Sequence, residues 1–289
     1  ITELFQKQQK TYSFEFFPPQ DEISAVDFGI NVGRLMKLNP SFVTVTYGAG
    51  GSTQERTFAL VDYLHNKIGL TCMAHYTCVN ATRERIDEDL NHLVNIGIEN
   101  LMLLRGDPPA GEKTFVAPLN GFQYASELIA YASERFSFCH AGACYVDKHP
   151  EATSLEEDIR HLKEKVDAGA DFLITQLFFK NENYFRFIEL VHKAGIQCRI
   201  IPGIIPITSY KQIERFTRMS GAEIPGNLVQ KLQSCKNDPD ATYQTGLEFS
   251  IRQCKELISN GAPGLHFYTL NKSRAAVSIF ETLSGENFG

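Results

Sequence analysis

The sequence predicts a single (β/α)8 barrel, and three observations carry that prediction. Eight short β-rich runs alternate with amphipathic helical stretches, glycines recur at the joints between them, and 289 residues suit one barrel with modest additions. An open doubly wound sheet would not use so many regular strand-helix units. No internal repeat, low-complexity tract or interdomain linker interrupts the pattern, so residues 1 to 289 read as one catalytic barrel with no regulatory domain.

The first strand is expected over 12 to 17, where an aromatic run is ended by Pro18 and Pro19, which cannot continue a sheet. A second over 41 to 47 runs into Gly48-Ala49-Gly50-Gly51-Ser52. That run lacks both the GxGxxG spacing and the lysine of a phosphate loop, so it reads as a flexible loop. Helical patterns over 53 to 67 and 82 to 96 flank a third strand at 71 to 76, and the apolar run at 100 to 104 is the fourth. A helix over 121 to 135, a strand over 138 to 145 and a helix over 154 to 168 follow. In the last of these, Leu155, Ile159, Leu162 and Val166 make a core stripe at helical spacing. Strands at 171 to 177, 198 to 203 and 264 to 268 complete the eight, with helices over 182 to 194 and 246 to 260. Gly97, Gly169, Gly195 and Gly261 each stand where a helix should end before a strand. Only 204 to 245 is irregular, holding more helix than one crossover needs.

Composition narrows the function. The chain is 43% hydrophobic and 21% charged with a formal net charge of -6, and its lysines and arginines are scattered, which gives no electrostatic basis for nucleic acid or an anionic membrane as partner. No apolar run is long enough to span a bilayer, and the first ten residues lack the apolar core of a signal peptide, so a cytoplasmic protein is expected. Seven cysteines show neither CxxC nor a zinc-site spacing; they read as reduced, mostly core thiols, with no metal centre.

The chemistry concentrates at the predicted strand ends. Burying an unpaired carboxylate is expensive, so Glu15, inside Phe14-Glu15-Phe16-Phe17, is either paired or catalytic. Thr46 and Tyr47 end the second strand, His75 the third, Tyr145 the fifth, Gln176 the sixth, and His266 with Tyr268 the eighth; Arg105 and Asp107 follow the fourth. Singly, each has an ordinary structural reading. Jointly, at the C-terminal end of a barrel, they mark one active mouth. Gly106, between Arg105 and Asp107, would let backbone approach a ligand, although Arg105 and Asp107 also suit a plain ion pair. Asp158, His161 and Lys165 share a helix face beside the core stripe, which without other information reads as a solvated face.

These residues lie in segments that together resemble one family. FEFFPP (14 to 19), VTVTYGAGG (43 to 51), AHYTC (74 to 78), LLRGDPP (103 to 109), YASELI (124 to 129), YVDKHPEA (145 to 152), KVDAGADFLITQLFF (165 to 179), IIPGIIPI (200 to 207) and HFYTLN (266 to 271) follow the order of the 5,10-methylenetetrahydrofolate reductase family, in its short bacterial form. The resemblance implies a barrel that binds FAD non-covalently through Thr46, Tyr47, Ala49, His75, Arg105, Gly106, Asp107, Tyr124, Ala125, Tyr145, His149, Asp158, His161 and Lys165. It implies Glu15 as general acid and Asp107 as a second catalytic group. Gln176 and Asp107 would hold the pterin, with Tyr268, Tyr210 and Lys272 also at the substrate. His161, Glu164 and Lys272 depart from the family pattern, which has Asn, Arg and Arg at those places, and Tyr210 stands where a Phe is common. The implied reaction is ping-pong hydride transfer from NAD(P)H through FAD to methylenetetrahydrofolate, giving 5-methyltetrahydrofolate. A homo-oligomer is the expected assembly. Alternatives are an FAD barrel of proline dehydrogenase type, which would not need Glu15, or a flavin subunit of a larger electron-transfer complex.

Overall fold

Alternation of apolar and polar residues along parallel strands sorts each strand into a helix-facing and a barrel-facing set, and that sorting builds this molecule. The computed structural model describes residues 1–47, 54–108, 111, 112 and 114–285. Strands β1 (Thr11–Phe16), β2 (Phe42–Val45), β3 (Cys72–Thr77), β4 (Asn100–Leu104), β5 (Cys139–Cys144), β6 (Phe172–Thr175), β7 (Arg199–Ile201), β8 (Gly203–Ile204) and β9 (Gly264–Tyr268) form one parallel sheet in the order β7-β6-β5-β4-β3-β2-β1-β9-β8. Since β7 and β8 are consecutive and lie at opposite ends of that order, the sheet closes on itself as the predicted barrel.

One expectation is corrected at the closure. The single strand anticipated over 198 to 203 is two, because Pro202 has no N–H to give to a ladder. Before it, β7 pairs with β6; after it, β8 pairs with β9, and Pro202 still accepts a hydrogen bond from the His266 N–H at 3.0 Å. Gly203 makes the seam possible. A Cβ there would lie 2.3 Å from the Thr175 carbonyl oxygen and 2.6 Å from the Tyr268 ring, and through this gap the Tyr268 hydroxyl donates to Thr175 O at 2.7 Å.

The helices are α1 (Thr2–Lys7), α2 (Glu22–Met36), α3 (Gln54–Asp62), α4 (Arg83–Asn95), α5 (Ala125–Arg135), α6 (Leu155–Asp167), α7 (Asn181–Lys193), α8 (Tyr210–Ser220), α9 (Gly226–Ser234), α10 (Pro239–Ser259) and α11 (Arg274–Gly285). The irregular stretch holds α8, α9 and the start of α10, which begins earlier than expected because Asp238 caps it, accepting from the N–H groups of Asp240 and Ala241. Gly97, Gly169, Gly195 and Gly261 do end their helices, each with positive φ.

Phe14, Phe16, Val43, Val45, Ala74, Tyr76, Leu101 and Leu103 face the helices and form the main core. Inside the barrel, Phe42, Met73, Met102, Ala141, Phe172, Ile174 and Ile201 fill the lower layers, and Ile1 and Phe5 of the α1 segment close the bottom. Among the described residues the barrel therefore opens at its C-terminal end alone.

Candidate active site

Above the apolar plug, polar side chains from the strand ends meet in one cleft of about 350 Å³, whose walls also include Leu104, Ala143 and Ile174. Glu15, Thr46, Tyr47, His75, Asp107, Tyr145, Gln176, His266 and Tyr268 all line it, drawn from or just beyond β1 to β6 and β9. Every strand-end residue singled out from the sequence is thus brought together except Arg105.

Glu15 is buried at 7% exposure. The aromatic run around it in sequence does not surround it in space: Phe14 and Phe16 point to the helices, as strand alternation requires. Its neighbours are histidines. Oε2 lies 3.6 Å from Nε2 of His75 and 3.6 Å from Nε2 of His266. Desolvation, reinforced by the facing His266 and only partly opposed by Glu15, lowers the His75 pKa to about 4. His75 is therefore neutral near pH 7, and its buried Nε2 has no hydrogen-bond partner among the described residues. His266 is fixed from behind, with Nδ1 2.8 Å from Ser13 Oγ. The Glu15 backbone is held as well, since Thr269 Oγ donates to its carbonyl at 2.6 Å. Burial, with the Glu15 charge nearby, raises the pKa of Tyr268 well above its ordinary value, so its hydroxyl stays protonated.

A second cluster adjoins the cleft beyond β4 and β5. Arg105 does not pair with Asp107; its guanidinium donates to both carboxylate oxygens of Glu151, at 2.6 and 2.7 Å, and lies 5.4 Å from the Phe115 ring centre. The Tyr145 and His149 rings meet edge to face at 4.7 Å, and the His149 backbone N–H donates to the Asp158 carboxylate at 2.8 Å. Lys165 Nζ donates to the Ala143 carbonyl at 2.5 Å, and burial lowers its pKa. Gly106 is explained by packing: with φ at 88°, a Cβ would lie 2.4 Å from Val79 Cγ2. Ala125 is buried at the start of α5, with Tyr124 exposed beside it as the N-cap.

Four expected residues stand apart from these groups. Ala49 lies outside the described residues, as does the whole glycine-rich run. His161 is on the exposed side of α6, where Nδ1 is 3.1 Å from Glu164 and Nε2 is 3.2 Å from Arg160, so two of the three departures from the family pattern contact each other rather than the cleft. Tyr210 opens α8 with its hydroxyl accepting from Gln233 at 3.3 Å; the aromatic ring that α8 brings to the cleft is Phe216. Lys272 lines an adjoining groove of about 340 Å³ with Gln212 and Arg274, which shares Tyr268 and Leu270 with the cleft.

Ser13 was legible in principle, since it stands two residues before Glu15 on the same strand face. Phe216, Ile205 and Leu270 carried no signal, because their placement depends on how α8 and the loop after β9 fold over the mouth. The seven cysteines are unpaired thiols, and burial raises several of them, Cys72 and Cys78 to about 12. Among the described residues, no helix is long and apolar enough to cross a membrane, and no cluster of His, Cys, Asp or Glu is arranged to hold a metal ion.

The chain is similar to known proteins over nearly its whole length. The family model described as methylenetetrahydrofolate reductase matches residues 1–284. The 5,10-methylenetetrahydrofolate reductase of Escherichia coli (strain K12) is 36% identical over 275 residues, covering 95% of this chain and 91% of that protein. Methylenetetrahydrofolate reductase (NADH) 1 of Arabidopsis thaliana is 35% identical over 98% of this chain, which spans about half (50%) of that relative. A solved structure described as an uncharacterized protein from Clostridium thermocellum that binds two copies of 5-methyl-5,6,7,8-tetrahydrofolic acid superposes with a TM-score of 0.67, covering 99% of this chain and 98% of that one; at 14% identity it shows the shared fold. With a family model spanning the barrel and a bacterial relative matched almost end to end, this chain belongs to the methylenetetrahydrofolate reductase family.

Proposed function

We propose that this barrel reduces 5,10-methylenetetrahydrofolate to 5-methyltetrahydrofolate with electrons from NADH or NADPH carried by bound FAD. The observation that carries the reading is the buried Glu15 carboxyl, set between two histidines in the open C-terminal mouth of the barrel. The relatives named as reductases of this folate, some of them NADH enzymes, support the substrate pair.

The residues fit a flavin. Tyr47, Tyr145 and Tyr268 give the cleft aromatic walls, and the orphaned Nε2 of His75 and the carboxylate of Asp107 offer polar contacts for the edge of a flat ring. Arg105, His149 and Lys165 lie beside the cleft, where a phosphate-bearing tail would meet cations and donors. Thr46 lines the cleft itself, and Tyr124, Ala125 and Asp158, at the starts of α5 and α6, are the further flavin contacts of this reading. When bound, FAD supplies the hydride chemistry, taking a hydride from the nicotinamide and giving it to the one-carbon bridge.

The chain's own groups do the proton work. Protonated Glu15 gives its proton to the bridging nitrogen, the carbon–nitrogen bond breaks towards that nitrogen, and the substrate's iminium is exposed for reduction. His266 keeps the resulting carboxylate in place: its Nδ1 is held at the Ser13 hydroxyl, and in the tautomer this reading assigns, with Ser13 as donor, the Nε2 proton faces Glu15. His75, being neutral, leaves the carboxyl free to cycle. Gln176 and Asp107 orient the pterin, Phe216 and Tyr268 wall the substrate, and Lys272 receives the anionic glutamate tail from the adjoining groove.

The plugged barrel bottom supports one shared cleft for nicotinamide and folate, and ping-pong kinetics are the behaviour this reading expects. Anaerobic titration of the FAD-loaded protein tests the reading. NADH or NADPH should bleach the flavin, and methylenetetrahydrofolate should restore its colour with 5-methyltetrahydrofolate as product. A bleached flavin that this folate fails to reoxidise would refute it.

A further inference from the structure

Beside the Glu15 carboxyl stands a threonine hydroxyl with nothing to bond. Along β2, Val43 and Val45 face the helices and Phe42 the barrel interior, so by alternation Thr44 faces inward. The sheet pairs it in register with Glu15 on one side and Met73 on the other. Thr44 is fully buried, and its Oγ1 makes no hydrogen bond among the described residues. A buried hydroxyl left unpartnered costs stability that valine, of the same shape, would not lose. Glu15 has the complementary need. The imidazoles of His75 and His266 both stand 3.6 Å from its Oε2, beyond hydrogen-bond length, and the carboxylate left after proton transfer is a buried charge. The hydroxyls of Thr11 and Thr77 are also buried and unpartnered, but Thr11 opens β1 opposite Gly264 and Thr77 packs against Gly106, so neither stands beside Glu15 in register.

We infer that Thr44 is a positioning residue for Glu15, its hydroxyl turning about χ1 to donate to the carboxylate that forms when Glu15 gives its proton to the substrate nitrogen. This rests on Glu15 being the proton donor of the proposed reaction. Thr44 keeps its own proton throughout; only the hydrogen bond is made. More than one χ1 arrangement is open to a side chain in a strand, and exchanging hydroxyl for methyl leaves the shape of a threonine almost unchanged. A hydrogen bond that strengthens as the carboxylate develops favours the transition state over the resting acid, which is the condition for raising a rate. The donor also sits on the strand next to Glu15, so the same ladder that sets Ser13, Glu15 and His266 sets Thr44.

Stopped-flow absorbance of the FAD-loaded protein, with nicotinamide and methylenetetrahydrofolate supplied separately, tests the inference. T44V should keep its flavin and melt no lower than the wild type, and NADH or NADPH should reduce its flavin at the wild-type rate. Reoxidation by methylenetetrahydrofolate should be about tenfold slower, the effect of losing one hydrogen bond to a charged group. The pH above which that reoxidation slows should also rise, by about one unit, because the charged form of the proton donor has lost a hydrogen bond. The titratable groups facing Glu15 are His75 from β3 and His266 and Tyr268 from β9, with Tyr47, Asp107 and Tyr145 on the same cleft, and T44V alters none of them. T44S, which keeps the hydroxyl, should restore both the rate and the pH dependence. Should T44V lose flavin, T44A paired with T44S decides in the same way. A wild type that the folate reoxidises, with T44V matching it in rate and pH dependence, would overturn this inference alone. A wild type that the folate fails to reoxidise would overturn the proposed function with it. Equal slowing of both half-reactions, or T44S as slow as T44V, would overturn the inference in favour of a packing role.

Discussion

Nε2 of His266 stands 3.6 Å from Oε2 of Glu15, while its other ring nitrogen is held 2.8 Å from Ser13 Oγ. Ser13, Glu15 and His266 come from two strands paired in register, Ser13 opposite His266 and Glu15 opposite Tyr268, so the sheet itself sets their spacing. A carboxyl whose partner is positioned by a ladder does not depend on a mobile loop for its geometry, which suits a proton donor that must act once per turnover.

Replacing Glu15 with Gln should abolish the folate half-reaction and leave flavin reduction by nicotinamide largely intact. The loss should be roughly 10²–10⁴-fold in rate, the usual worth of a positioned general acid. Stopped-flow absorbance of each half-reaction separates the two. Equal damage to both would assign Glu15 to cofactor binding instead.

Ser13→Ala should lower the folate half-reaction about tenfold, the equivalent of one hydrogen bond lost at the imidazole that faces Glu15. Flavin content and nicotinamide half-reaction rate are the controls, and both should stay near wild type. Ser13→Thr, which keeps the hydroxyl, should recover most of the rate.

Acid stability should report His75. Its folded-state pKa of about 4 lies below the ordinary 6.5, so as pH falls the unfolded chain takes up the proton first. The contribution to stability is intact above about pH 6.5 and is lost progressively towards pH 4, by up to roughly 3 kcal/mol. Urea midpoints measured across this window should fall more steeply for the wild type than for His75→Gln, whose side chain does not titrate.

Gly106→Ala should destabilise the barrel by about 1–3 kcal/mol. The residue sits at φ 88°, and an added Cβ would press on Val79 and Thr77 from 2.4 and 3.1 Å. Chemical denaturation checks the magnitude. Weakened FAD binding should accompany it, because Arg105 and Asp107 flank the shifted backbone.

Most of the frame was legible because it rests on local rules. Period-two alternation, helix-length stripes and terminal glycines are properties of neighbouring residues, and they located the eight strand positions, including the two prolines that stop β1 beyond Glu15. The broken seventh strand was not anticipated, although Pro202 was in plain view, since its effect depends on which strands lie on either side. Tyr210 and Phe216 show the same limit: both are aromatic residues of α8, and only the packing of that helix over the mouth decides that Phe216 enters the cleft.

By itself the sequence determined the barrel and the set of polar and titratable residues that stand at the C-terminal ends of its strands, because strand order and alternation are written in local composition. Tertiary structure alone decided the partnerships. Glu15 meets His75 and His266 rather than its aromatic neighbours, and Arg105 takes Glu151 rather than Asp107. The physical reason is that ion pairs, hydrogen bonds and pKa shifts act over a few ångströms of space, and in a closed sheet residues 251 positions apart, such as Glu15 and His266, come within that range.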